Sequence, residues 1–199
     1  MVVTSDLPYR FRSAKLKHFD SQAIAPVLKF VDAVAELTAD VPERNHILGQ
    51  GWVATGNLQR NFRGLDGLVI VGPTGVGKTH LMAAIANELF RRERIFRSAL
   101  AIVDEAKEEV GGRGVRFPYH TYPDILMIDD LSGIRPTEFS IDTLTRILRV
   151  RYDESLPTII TMHSSREAIS DLYGHAIASR LVEFGPVIEL KGPDRRRGK

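Results

Sequence analysis

The segment Gly72-Pro73-Thr74-Gly75-Val76-Gly77-Lys78-Thr79 has the spacing G-x-x-x-x-G-K-[ST]. Glycines so placed let a loop wrap closely, so that successive backbone N–H groups and the N-terminus of a following helix face phosphate oxygens. Lys78 then sets a cation at the β- and γ-phosphates, and the Thr79 hydroxyl can ligate Mg2+. A second signal lies further along, at Ile125-Leu126-Met127-Ile128-Asp129-Asp130. Four apolar residues ending in two carboxylates fit a buried strand whose tip reaches a metal. Asp129 would hold Mg2+ through water, and Asp130 would orient or polarise an attacking water.

These residues need elements to carry them, and strand and helix signals alternate along the chain. Ile24, Val27, Leu28, Val31, Val34 and Leu37 fall close to helical spacing within residues 21–38, and Asp40-Val41-Pro42 ends that run. Residues 44–67 hold five glycines without a clear period and read as loop with room for a short helix. Strands are expected at 68–71, between 95 and 103, and at 125–128, 158–162 and 187–190. Helices are expected at 77–92, 137–152, 166–172 and 176–184. Gly111-Gly112-Arg113-Gly114 reads as the plainest flexible stretch. Strands separated by helices imply an α/β fold of three layers, a parallel sheet with helices on both faces. Ligands of such sheets sit at the carboxyl ends of the strands.

The 199 residues suit a single domain, and 43% hydrophobic residues exclude a disordered chain. With no cysteine there is no disulfide framework, thiolate zinc site or cysteine nucleophile. The longest apolar stretches, Leu68 to Val71 and Ile125 to Ile128, are too short to cross a bilayer, and residues 1–6 lack a signal-peptide pattern. No membrane partner and a soluble, cytoplasmic protein are expected. The net charge of +2 is uneven: the first seventeen residues carry +3, the last nine +4, and the body about −5. Basic ends fit contact with nucleic acid or an acidic partner, and equally fit solvated tails.

Residues 77–89, Gly-Lys-Thr-His-Leu-Met-Ala-Ala-Ile-Ala-Asn-Glu-Leu, and Ile128-Asp129-Asp130-Leu131 resemble the bacterial AAA+ helicase loaders of the DnaC/DnaI type and their relatives, the IstB-type transposition ATPases. Arg151-Tyr152, Leu156 to Thr161, Ala178 to Leu181 and Gly192 to Arg196 extend the likeness, as do Leu7 to Arg10 and Leu16 to Phe19. The related DnaA initiators share the Gly-Lys-Thr-His-Leu segment but continue into a DNA-binding domain, for which no residues are left here. The resemblance implies a P-loop AAA+ core over 21–199 with a minimal or absent lid, preceded by a basic lead-in over 1–20.

The resemblance also implies roles for single residues. Gly72 to His80 and Arg196 would contact ATP, with Thr79 and Asp129 at Mg2+. A polar side chain between γ-phosphate and water falls at His163, where the family more often has Asn; Thr161 is the alternative. Arg180 lies at the family's arginine finger, which acts on ATP bound to a neighbouring copy. Arg196 matches an arginine that contacts phosphate in cis, with Arg195 standing where an aromatic is usual. Asp130, one methylene shorter than Glu, implies slow hydrolysis. Arg146, Arg149 and Arg151 recur along one helix, a solvated face or a surface for DNA or a second copy. Trp52 and Phe62 read as core or loop anchors.

The implied function is a DNA-acting ATPase of replication that recruits a replicative helicase and assembles into a homo-oligomer on nucleotide or DNA, single-stranded DNA above all. An IstB-like transposition helper that recruits a transposase is the alternative. A non-catalytic adaptor whose ATP-bound state recruits the partner is another, motivated by Asp130 and His163. A small-molecule phosphotransferase fits poorly with adjacent carboxylates and Ser179-Arg180-Leu181.

Overall fold

The computed structural model describes residues 7–36, 45–47, 51–53, 67–90, 94–110, 118–121, 123–163 and 166–196. Five strands form a parallel sheet: β3 (Gly67–Val71), β4 (Arg94–Ser98), β5 (Ile125–Asp129), β6 (Thr158–Met162) and β7 (Val187–Glu189), in the spatial order β4-β5-β6-β3-β7. The strand that leads into the phosphate loop, β3, is therefore separated from the carboxylate strand, β5, by β6 alone. Helices α1 (Ala25–Glu36) and α2 (Lys78–Glu88) cover one face. Helices α3 (Ala99–Val110), α5 (Glu138–Asp153), α6 (Arg166–Tyr173) and α7 (His175–Glu183) cover the other, and α4 (Pro118–Thr121) packs beside α5.

The central strands are mostly apolar because both of their faces are covered; the exceptions are Thr158 and Thr161 in β6 and Asp129 at the end of β5. Side chains alternate between the layers. Val69, Leu126, Ile128, Ile160 and Met162 join the cluster under α3, α5, α6 and α7, whereas Leu68, Ile70, Ile125, Met127 and Ile159 join the cluster under α1 and α2. Continuing that period of two, Asp129 and Thr161 point to the α2 side, where the phosphate loop lies. Helix α2 is apolar nearly all round, with Leu81, Met82 and Ala83 to Ala86 buried. It lies between the sheet and the lead-in, whose Leu7, Leu16 and Phe19 pack on the same side. The Asn87 amide fastens that lead-in by donating to the carbonyls of Arg12, at 3.2 Å, and Ala14, at 2.9 Å.

Three sequence expectations are corrected. The apolar run after Ile95 is not all strand: β4 ends at Ser98 and α3 begins at Ala99, with the Ser98 hydroxyl accepting the Ala101 N–H at 3.1 Å in the manner of an N-cap. The glycine-rich stretch contains an antiparallel pair, β1 (Asn45–Ile47) with β2 (Gly51–Val53), and Trp52 opposes His46 in it. Arg151 is not on an outward face of α5. It is fully buried, and its guanidinium donates to Thr158 Oγ1 and to the carbonyls of Thr121, Pro123 and Pro157 at 2.7–3.0 Å. This arginine ties the end of α5 to the entrances of β5 and β6. Arg149 is exposed as expected and pairs with Asp153. Phe62 and Gly111–Gly114 lie outside the described residues. Among the described residues no helix is long and apolar enough to cross a membrane.

Candidate nucleotide site

Gly77 caps α2 with φ 111°, a left-handed conformation in which a side chain would be strained. The turn aims the first N–H groups of α2 toward the loop, where the helix dipole favours an anion. Lys78 opens the helix, and its ammonium donates to the carbonyls of Gly72, at 2.8 Å, and Pro73, at 2.9 Å, so the cation is held within the loop. Burial lowers its pKa, a shift that Asp130 and Asp129 oppose and Arg196 reinforces. The residues 190–196 run along the same loop. The Arg195 N–H donates to the Gly75 carbonyl at 3.1 Å, and the Asp194 carboxylate lies so close to Gly75 that a Cβ there would sit 1.9 Å from its Oδ1. Position 75 favours glycine through its φ of 80°, whereas the Asp194 carboxylate could turn aside.

Thr79 follows on the face of α2 toward β5, and its hydroxyl lies 3.0 Å from both oxygens of Asp129. Thr161 donates to Asp129 Oδ1 at 2.6 Å. Burial raises the Asp129 pKa; the hydrogen bonds from Thr161 and Thr79 oppose the shift, Asp130 adds to it and Lys78 opposes it. A hydroxyl and a carboxylate converging beside a phosphate loop form the hard-oxygen donor set that suits Mg2+ completed by phosphate oxygens and water. The residues present thus fit both groups that the sequence implies.

Asp130 is exposed and left-handed, with φ 55° and ψ 61°. His163 Nδ1 lies 3.3 Å from its Oδ1, and the His163 N–H donates to Ser132 Oγ at 3.2 Å. The pair stands at the carboxyl ends of β5 and β6. Behind it, the single Tyr173 hydroxyl proton is donated to the Ile134 carbonyl at 2.7 Å, with the Leu131 carbonyl 3.1 Å away, tying the turn after Asp130 to α6. Burial, and then Asp130, raise the Tyr173 pKa.

The fold thus brings together Lys78, Thr79, Asp129, Asp130 and His163, with Arg196 near enough to Lys78 to disfavour its charge. His80 turns from the loop to the lead-in: its Nε2 lies 3.1 Å from His18 Nδ1, and its ring packs near those of Phe11 and Phe19. Burial lowers the His80 pKa, with smaller contributions from His18 and Arg195. Arg195 lays its guanidinium over the Phe19 ring, 5.4 Å from its centroid. Arg180 is held apart from this centre. Its Nη1 lies 2.5 Å from Glu183 Oε2, and its guanidinium covers the Tyr152 ring, 4.8 Å from the centroid. Sequence reasoning missed Asp194, Ser132, Tyr173 and Glu183. Asp194 lies inside the Gly192 to Arg196 segment that carries the likeness, and the i,i+3 spacing of Arg180 and Glu183 on a predicted helix was a signal for Glu183.

The sequence pattern of the IstB-like ATP binding protein family matches residues 60–199. A putative insertion sequence ATP-binding protein of Sinorhizobium fredii is 30% identical over 97% of this chain and 76% of its own length. The replicative helicase loader DnaI of Bacillus subtilis is 26% identical over 65% of this chain and 47% of its own. The alignments cover only 55% and 57% of the length of two further insertion-sequence relatives. Among solved structures, the DnaC helicase loader superposes with a TM-score of 0.69 at 20% identity, over 92% of this chain and all of that one. On the family match, and with the AAA+ P-loop fold that the superposition bears out, the chain belongs to the IstB-like ATP-binding proteins.

Proposed function

We propose that the chain binds ATP with Mg2+, hydrolyses it slowly, and uses the ATP-bound state to assemble with further copies on DNA and recruit a DNA-processing partner. The observation that carries the reading is the Thr79 hydroxyl at hydrogen-bond distance from Asp129, next to a Lys78 ammonium held within the loop, although β3 and β5, the strands that lead to them, are not neighbours. The main-chain N–H groups of the loop and the Lys78 ammonium bind the phosphates. Thr79 and Asp129 hold the metal, which when bound neutralises phosphate charge. Asp130 and His163, side by side, orient a water toward the γ-phosphate. Arg196 contacts phosphate from the same chain, and Arg180 reaches a nucleotide held by a second copy. In this reading residues 21–199 act as one ATPase domain and 1–20 as its lead-in.

The family match favours a transposition helper whose partner is a transposase. The likeness to DnaI supports the second reading, a helicase loader of replication whose partner is a replicative helicase. Hydrolysis measured with and without single-stranded DNA, across a range of protein concentrations, tests the activity. Turnover per chain should rise with both. Turnover that ignores both would contradict the DNA and shared-site parts, and no turnover at all would leave only an adaptor. Pull-downs with the transposase and the replicative helicase of the same source then separate the two partners.

A further inference from the structure

Thr161 is buried in β6, the strand that lies between the phosphate-loop strand and the carboxylate strand, and it stands in register with Ile70 of β3. Its hydroxyl has one proton and two lone pairs to distribute. The proton goes to Asp129 Oδ1 at 2.6 Å, and a lone pair accepts the N–H of Asp130 at 2.9 Å. The direction is forced, since an ionised carboxylate only accepts and a backbone N–H only donates.

Asp130 occupies a region of φ and ψ that residues other than glycine seldom adopt. Its backbone is held at both ends: the N–H by Thr161, and the carbonyl by the Gly133 N–H at 3.0 Å. That conformation sets the Asp130 carboxylate beside His163 rather than beside Asp129. An unbroken line of contacts therefore runs Thr79–Asp129–Thr161–Asp130–His163. Without the Thr161 hydroxyl, nothing on that line joins the part-buried carboxylate to the exposed one except the peptide bond between them.

We propose that Thr161 is a positioning residue whose single hydroxyl fixes the metal-side carboxylate and the water-side carboxylate relative to each other, so that occupancy at Asp129 is transmitted to the backbone of Asp130. The consequence for turnover rests on the ATPase reading above; the linkage itself does not.

The test compares Thr161→Val, which keeps the shape and removes the hydroxyl, with Thr161→Ser, which keeps the hydroxyl. Amide hydrogen exchange at Asp130, read by NMR in the full chain, should accelerate at least about tenfold in the valine variant, the loss expected for one hydrogen bond, and stay near wild type in the serine variant. With the Mg2+ complex of a non-hydrolysable ATP analogue, wild type should gain protection at Asp130 and the valine variant should not. Steady-state kcat should fall about tenfold to a hundredfold in Thr161→Val, with the affinity for the Mg2+-free analogue retained, and be restored by Thr161→Ser.

An Asp130 amide equally protected in wild type and Thr161→Val would overturn the proposal, as would a kcat that drops equally in both variants. Thr161→Ala, judged by the same criteria, replaces a valine variant that fails to fold. A wild-type chain that binds ATP without turnover would sink the ATPase reading alone, because amide exchange still decides the role of Thr161.

Discussion

The two ends of the proposed reaction centre are built differently. On the phosphate side, Thr79, Asp129 and Thr161 meet through part-buried hydrogen bonds of 2.6–3.0 Å that bind strands and helix together, and Lys78 is held by two carbonyls of the loop. On the other side, Arg180 rests on its own helix and on a neighbouring ring, with 31% of its side chain still exposed. The first arrangement is preorganised, so binding need not order it. The second is a surface ion pair of the kind that contributes little and exchanges readily. A centre preformed in cis and a cation held loosely elsewhere suit an activity that waits for a second copy.

Replacing Arg180 should separate the two sides most sharply. Arg180→Ala should leave analogue affinity intact and lower turnover about a thousandfold, the scale of a trans-acting arginine. Mixing it with Lys78→Ala should recover activity, because each chain then supplies what the other lacks. Recovery that fails while both variants still associate would place Arg180 outside the reaction. Lys78→Ala alone should weaken binding of a fluorescent ATP analogue about a hundredfold, since a charge-assisted phosphate contact is lost. Unchanged affinity would refute the assignment of the loop.

Smaller effects sharpen the contrast. Asp129→Asn should raise thermal stability in the absence of nucleotide, since burial raises that carboxyl's pKa and its charge opposes folding above the unfolded value. The site would then hold a charge that folding alone disfavours, and a melting temperature unchanged or lowered would argue against this. Glu183→Gln should free Arg180 and lower the protein concentration for half-maximal turnover by no more than about fivefold, in line with an exposed pair. At His80 the lowered pKa means the unfolded chain binds more protons below its ordinary value of about 6.5. Stability contributed there is present above that pH and is lost as pH falls from it through the lower folded value. His80→Gln should flatten that part of a melting-temperature profile, and an unaltered slope would exclude His80 as the source.

What could be read from sequence was local. The glycine spacing, the Lys78-Thr79 pair and the strand ending in Asp129-Asp130 each sit within a few residues. The helix over 137–152 was legible too, and in the structure Thr137 and Ser140 cap it reciprocally. The start of α3 was not legible, because the apolar run Ala99 to Val103 satisfies strand and helix patterns alike. Arg151 was misread because its partners are strand-entry carbonyls distant in the chain, and periodicity carries no information about those. Thr161 could be seen as a polar residue on a strand. That its hydroxyl joins both carboxylates follows only from the strand order, which places β6 next to β5.

The central claim is that the loop grips triphosphate while Thr79 and Asp129 hold its metal. It is tested most directly by titrating a fluorescent ATP analogue into wild type, Thr79→Val and Asp129→Asn, with and without Mg2+. Mg2+ should tighten binding to wild type at least about tenfold and have little effect on either variant, while all three retain similar metal-free affinity. An equal gain from Mg2+ in all three would contradict the account.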